Sequence, residues 1–403
     1  MKQLRSWIVT ALATALLVAC GGGDPDVPGT GSTTGGPATK GTFSSVVSFG
    51  DSLSDLGTYT PATAIPGTNP QLYFGGKWTT NSPTSTIWVE NVATSLGLLI
   101  TPAEVGFAGQ SVKCPAALTN AALAATCTGY GQGGARATNP SGPRHASGAL
   151  TVPLKTQIAN HLASPTFGGS FKSTDLIFVQ SGGGNEIFVL MDPTIPTSFG
   201  STIVQILTQV QTGAITAAQA QALLLQPQLD AQAVLKQAAL ETASYVVNEI
   251  LAKGGKYVAV MNIPDLGKTP EGAASPGPIP GILTTLSQTY NLWLREGLAG
   301  QPVQWIDIDA DFAEFRANPA TYGFVNVTTP ACDKAKMSAI TGGLVTDGTS
   351  LFCNATPNAP YNGLATGADA NTWLFADGNH PTTGGHKAFS DAILKQLRAA
   401  GWI

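Results

Sequence analysis

Charge is scarce in this chain. Only 11% of its 403 residues are Asp, Glu, Lys or Arg, against about 25% in an average globular protein. Lys and Arg number 20 against 24 acids, the net charge is -4, and no basic run follows the first few residues. The electrostatic footprint of a nucleic-acid binder is therefore missing. Histidine is rarer still, at four residues, and no Cys-x-x-Cys occurs. Neither spacing suits a zinc site. The apolar stretch Trp7 to Ala19 is too short to span a bilayer, which takes about 20 residues. No internal repeat is visible.

What is present is apolar material, 43% of the chain, enough for one large core. The N-terminus has the layout of an export signal: Lys2 and Arg5, then the apolar stretch, then Leu17-Val18-Ala19-Cys20. The last four residues resemble a bacterial lipobox, whose Cys is lipidated and becomes the new N-terminus. The alternative is an ordinary cleaved signal that contains a Cys. Residues 1–20 are thus expected to be a signal peptide and Cys20 a lipid anchor. Gly22, two places after Cys20, favours sorting to the outer membrane. Residues 21–42, rich in Gly, Thr, Ser and Pro, cannot bury apolar surface and predict a flexible tether reaching about 25 Å.

Of five cysteines, four remain once Cys20 is set aside. Four Cys in an exported protein suggest two disulfides. The local pairings Cys114–Cys127 and Cys332–Cys353 are expected, the alternative being a metal site.

The folded part is expected over residues 43–403 as one domain. Ser45 to Phe49, Asp175 to Gln180, Tyr257 to Asn262 and Val303 to Ile308 read as short apolar strands. Helical patterns lie around Ile87, Trp88, Val92 and Leu96 and over residues 228–253, 283–298 and 383–399. Alternating strands and helices predict a three-layer α/β/α sandwich around a parallel sheet. Residues 192–227, ended by Pro227, read as a helical insertion beside the site. Asp307, Asp309 and Asp311 alternate in the last strand pattern. They lack the glycine and glutamate of a calcium loop, having Phe312 and Asn318 there. His145 and His161 read as surface or cap residues. His386 reads as packed or solvent-facing on the last helix.

Two motifs at opposite ends of the chain carry the chemistry. Phe49-Gly50-Asp51-Ser52-Leu53-Ser54-Asp55 follows the first strand. Asp377-Gly378-Asn379-His380-Pro381 precedes the last helix. A serine hydroxyl needs a base to take its proton and a third group to orient that base. Ser52, His380 and Asp377 are those three parts, provided that the fold brings the ends together. A glycine permits the sharp turn after the strand. A helix start would favour negative charge beside Ser52. The same residues also read as an Asp/Ser helix cap. No Gly-x-Ser-x-Gly occurs, so the usual nucleophile elbow is absent.

Residues 49–55 resemble the first block of the GDSL, or SGNH, hydrolase family. Its other blocks have counterparts in order. Tyr130-Gly131-Gln132-Gly133-Gly134-Ala135-Arg136 is similar to the second block without its leading Asn. The family's oxyanion glycine aligns with Gly134, with Gly133 as the neighbouring choice. Gly183-Gly184-Asn185-Glu186 resembles the third, with Glu for Asp. Asn262-Ile263-Pro264-Asp265 resembles a loop of bacterial members, and Asp377 to Pro381 the last block. Gly76-Lys77-Trp78-Thr79-Thr80-Asn81 and Trp88-Val89 extend the likeness, which spans roughly residues 43–400. It is nearest to lipase-like esterases, autotransporter-esterase passenger domains and the haemolysin/phospholipase group.

The resemblance implies a flavodoxin-like sandwich and a serine hydrolase that cleaves carboxylic esters through an acyl-enzyme. Ser52 would be nucleophile, His380 base and Asp377 its orienting acid. The Ser52 N–H, Gly134 N–H and Asn185 amide would form the oxyanion hole. No cofactor or metal is needed. Activity should rise with pH as the imidazole becomes neutral. Tyr73, Phe74 and Trp78 are candidates for an acyl-pocket wall, or for a packed loop. A phospholipase or acyltransferase, a carbohydrate acetyl esterase and a non-catalytic surface lipoprotein stay open as rivals. The expected partners are an ester substrate and, through Cys20, a membrane. Nucleic acid is not expected, and the oligomeric state is open.

Overall fold

The computed structural model describes residues 31–180 and 182–403. The expected signal peptide, residues 1–20, and the expected lipid anchor Cys20 lie outside the described residues. Four strands form a parallel sheet: β1 (Ser45–Phe49), β4 (Asp175–Gln180), β5 (Tyr257–Met261) and β6 (Gln304–Ile306), paired in that order. A separate antiparallel hairpin, β2 (Glu104–Phe107) with β3 (Gln110–Lys113), lies apart from it.

The strand sequences explain why the sheet is covered on both sides. In β4 and β5 every residue is buried. Alternate side chains point to opposite faces. Val47, Phe49, Ile177, Val179, Val258 and Val260 enter one core. Val46, Leu176, Phe178, Ala259, Met261 and Ile306 enter the other. The first core is closed by α2 (Leu154–Ala163), α3 (Gly183–Met191), α4 (Phe199–Gln211), α5 (Ala217–Tyr245) and α6 (Ile279–Gly297). The second is closed by α1 (Trp88–Ser95) and α8 (Thr383–Ala399). The molecule is a three-layer α/β/α sandwich.

Three readings of the sequence are corrected. The last strand ends at Ile306, and Asp307 caps a helix, α7 (Ile308–Ala317). Asp307 Oδ1 accepts the Ala310 N–H at 3.1 Å, and Asn262 Oδ1 accepts those of Ile308 and Asp309. Asp307, Asp309 and Asp311 thus belong to a helix start, where acids oppose the positive dipole end. Pro227 does not end a helix but lies inside α5. Pro227 has no N–H for the Leu223 C=O, but Leu223 is exposed, while buried Leu224, Ala231 and Leu235 hold the helix to the core. His161 is not at the surface. It is 1% exposed, stacked between Phe167 and Phe171 with ring centroids 4.4 and 4.5 Å away.

Within the stretch read as a tether, residues 34–41 are hydrogen-bonded to the domain. The Thr34 N–H donates to the Gln301 C=O, and the Gly41 N–H to that of Trp402. The Tyr257 hydroxyl donates to the Thr39 C=O at 3.2 Å. Disulfides join Cys114 to Cys127 and Cys332 to Cys353. Among the described residues no helix is long and apolar enough to cross a membrane.

Candidate active site

The site lies at the C-terminal edge of the sheet, where an open α/β sheet leaves its crevice. β1 delivers Ser52, the first turn of α3 after β4 delivers Asn185, and the loop before α8 delivers Asp377 and His380. At Gly50 the chain passes so close to β4 that a Cβ would stand 2.7 Å from the Gln180 C=O oxygen. Gln157 clamps this turn: the Gly50 N–H donates to Gln157 Oε1 at 2.9 Å, and Gln157 Nε2 donates to the Gly50 C=O at 2.8 Å. Ser52 opens only one 3-10 turn, Ser52–Ser54, capped by Asp51, whose Oδ1 accepts the Leu53 N–H. The helix dipole expected behind Ser52 is therefore reduced to one turn of backbone. Burial pushes the Asp51 carboxyl up to about 6, against opposing hydrogen bonds from Leu53 and Gln180.

Asp377 and His380 meet because residues 376–381 fold back on themselves. The Ala376 N–H donates to the His380 C=O at 2.7 Å. Asp377 Oδ1 accepts the N–H groups of Asn379 and His380 at 3.0 and 2.8 Å, an Asx-type turn. The His380 ring then falls on the same carboxylate, with Nδ1 2.9 Å from each oxygen. The Ser350 N–H adds a further bond at 2.7 Å. Burial alone would push the Asp377 carboxyl up. The His380 ring and the bonds from His380 and Ser350 outweigh it and hold the group far below the ordinary carboxylate range. Asp377 thus stays ionised and only accepts, so Nδ1 carries the ring proton. His380 Nε2 then faces Ser52 Oγ at 2.8 Å as an acceptor.

The expected oxyanion donors line the same cleft. Ser52, Gly134 and Asn185 border a cavity of about 720 Å³ together with Trp78 and His380. Gly133 and Gly134 differ in their N–H groups. That of Gly133 donates to Asp55 Oδ2 at 2.8 Å, whereas among the described residues none accepts from Gly134 or from Ser52. Gly134 has φ +81°, and a Cβ there would meet the Pro143 C=O at 2.4 Å. Asn185 Nδ2 donates to the Ala135 C=O at 2.8 Å, which aims the amide and leaves its second hydrogen. Glu186, in place of the family's Asp, bonds Arg136 at 2.8 and 2.5 Å and accepts the Ala137 N–H. It braces the loop that carries Gly134.

Asp55 and Arg144 went unassigned in the sequence, whereas Trp78 was a candidate for the pocket wall and does line the cleft. Asp55, fully buried, accepts the N–H groups of Gly57, Thr58 and Gly133 and that of the Trp78 indole. It ties the serine turn to the glycine loop, and its place in the first motif was the available signal. Trp78 packs on His380 with ring centroids 4.8 Å apart. The Arg144 guanidinium lies over Trp78 and pairs with Asp347. Tyr73 and Phe74 do not reach the cleft: Tyr73 is exposed, and Phe74 packs on Phe352 and Tyr361. Asn262 and Asp265 are scaffold: Asn262 also donates to Asp307, and Asp265 accepts from Thr284. His386 is fully buried, its ring nitrogens meeting the Trp88 N–H and the Trp78 C=O at 3.4 Å each. His145 is exposed. No grouping of three or more His, Cys, Asp or Glu among the described residues could hold a metal ion.

No family model matches the chain. It is 31% identical over 146 residues to "Esterase EstA" of Pseudomonas aeruginosa and equally to that of Pseudomonas putida. Each alignment covers 36% of this chain and 20% of the relative. The "Anther-specific proline-rich protein APG" of Arabidopsis thaliana is 26% identical over 164 residues, 39% of this chain and 28% of that protein. The chain thus matches between a fifth and just over a quarter of the length of these curated relatives, and over about a third of its own length it is similar to esterases.

Proposed function

We propose that this protein is a serine ester hydrolase of the GDSL/SGNH type, with Ser52 as nucleophile, His380 as general base and Asp377 as its orienting carboxylate. The observation that carries the reading is the unbroken relay from Ser52 Oγ through the His380 ring to Asp377, at 2.8 and 2.9 Å. The likeness to esterases supports it.

Ser52 Oγ attacks the ester carbonyl carbon while its proton passes to His380 Nε2. The carbonyl oxygen becomes an oxyanion that the Ser52 N–H, the Gly134 N–H and the second hydrogen of Asn185 Nδ2 bind. Such donors matter because they meet charge that exists only in the transition state. The intermediate collapses, the C–O bond breaks, and the leaving alcohol takes the proton from His380. Water, deprotonated by the same nitrogen, then attacks the acyl-Ser52 carbonyl; the acyl–Oγ bond breaks, Ser52 Oγ takes the proton back from His380, and the carboxylic acid leaves. Carboxylic esters with an apolar acyl group are the proposed substrates. Export, and anchoring of Cys20 in an outer membrane, belong to the same proposal. Two disulfides fit an oxidising compartment.

The test is hydrolysis of p-nitrophenyl esters by protein beginning after Cys20. Ser52→Ala is expected to lose turnover by about 10⁴-fold or more, with the fold kept by circular dichroism. Undiminished turnover in that variant would sink the assignment.

A further inference from the structure

Beside the catalytic cleft lies a second hollow of about 390 Å³, within the range of ligand pockets, about 300–1,000 Å³. It shares Phe188, Asp192 and Glu271 with the cleft that holds Ser52, so the two adjoin along those residues. One wall is the end of α3 with the start of α4, presenting Met191, Ile203 and Val204. The facing wall runs from Leu266 to Ile279. Gly200 makes the narrow floor possible. It lets α4 cross α3 so closely that a Cβ would be 2.0 Å from the Met191 C=O oxygen.

We infer that this groove is the acyl-chain subsite, and that Phe188 and Val204 set the preferred chain length. The inference rests on the ester-hydrolase reading and adds a direction to it. The leaving oxygen must face His380 Nε2 to receive its proton, so the alcohol part leaves on the side of His380 and Trp78. The carbonyl oxygen takes the direction of Asn185, so the acyl part takes the remaining one, away from His380 and alongside the helix that bears Asn185. Phe188 follows Asn185 by three residues on α3, on the same helix face. A chain passing Phe188 enters the groove. Acetyl ends before it; longer acyl groups reach Ile203 and Val204. Asp192 and Glu271 at the shared mouth favour an uncharged ester over an anionic ligand, because like charges disfavour a carboxylate there.

The experiment is kcat/KM for p-nitrophenyl acetate, hexanoate and decanoate in the wild type and in Val204→Trp, Val204→Ile and Ser275→Phe. Val204 is 48% exposed. Ser275 lines the opposite wall, so the two bulky variants obstruct the groove independently, and one still reads out if the other misfolds. In the wild type kcat/KM should rise with chain length by up to about fourfold per buried methylene. The decanoate-to-acetate ratio should fall at least tenfold in both bulky variants and persist in Val204→Ile. A flat wild-type series, or a ratio unmoved by either folded bulky variant, would overturn the acyl subsite while leaving ester hydrolysis standing. If the bulky variants depress a series of n-alkyl acetates instead, the groove holds the alcohol and the direction is wrong. A wild type that hydrolyses no ester would remove the hydrolase reading, and the subsite with it.

Discussion

At the scale of single residues, the site depends on groups held from behind. Asn185 is aimed by its bond to the Ala135 C=O, and that bond leaves one hydrogen for an oxyanion. Asn185→Ala is expected to lower kcat about 10²–10³-fold with little change in KM, as removal of a single oxyanion donor does. Steady-state kinetics check it; an equal loss confined to KM would refute the role. His161 shows the opposite case, a titratable group that serves packing. Burial lowers its pKa to about 4, with a smaller push from Lys172. The folded protein therefore holds it neutral, while the unfolded chain, near 6.5, takes up the proton first. Stability is present above 6.5 and is lost as pH falls toward 4. Asp51, raised to about 6, works in the reverse sense, so the wild-type profile alone mixes the two. Comparison with His161→Phe, which keeps the stacking on Phe167 and Phe171, isolates the histidine. Relative to the wild type, that variant should gain roughly 2–3 kcal/mol between pH 7.5 and pH 4.5, read by urea denaturation at both pH values. A pH-independent difference would contradict it.

At the scale of elements, legibility in the sequence followed the strength of the local signal. Asp175–Gln180 and Thr383–Ala399 stand where apolar runs and helical periodicity put them. The strand pattern through Ile308 failed because Asp307 is a cap, and caps compete with strand propensity through side-chain bonds that periodicity does not register. Pro227 failed as a stop because tertiary packing of α5 outweighs one lost backbone bond. Ser52, Asp377 and His380 were readable because their motifs are local. The Ser350 N–H that reaches Asp377 was not, because it arrives from a loop with no periodicity. That loop is closed by Cys332–Cys353, which spans 21 residues. Asn81 also holds it in place, its Nδ2 donating to the Ser350 C=O at 3.0 Å. Cys332→Ser/Cys353→Ser should cost roughly 3 kcal/mol of stability by loop entropy, and Cys114→Ser/Cys127→Ser, spanning 13 residues, a similar amount. Their kinetics should part. The first pair loosens the bond that orients Asp377 and should lower kcat by up to about 10²-fold, whereas the second lies away from the cleft and should leave kcat near wild type. Equal losses in kcat would contradict a link between the disulfide and Asp377.

At the scale of the whole molecule, the parallel sheet separates two ends. Ser52, Asn185 and Asn262 follow the C-terminal ends of β1, β4 and β5. The described N-terminal stretch runs along the other end, where Thr39 meets Tyr257 at the start of β5 and the Gly41 N–H meets the Trp402 C=O. A lipid on Cys20 would therefore attach the protein by the end opposite its cleft. Ten residues, 21–30, separate Cys20 from the described chain, and even fully extended they span at most about 35 Å. Each buried methylene of a lipid contributes about 0.8 kcal/mol, and stable anchoring takes more than one chain or signal. The full chain is expected in the membrane fraction, and Cys20→Ser in the soluble exported fraction. Their kcat/KM on a water-soluble acetate ester should agree within about twofold, because a cleft turned away from the bilayer in the anchored form would be as open as in the soluble one. Fractionation followed by assay checks both parts. Cys20→Ser retained in the membrane fraction would refute the anchor. A large kinetic gap between the two forms would refute the outward orientation instead, since a cleft pressed toward the lipid would be screened in one form and open in the other.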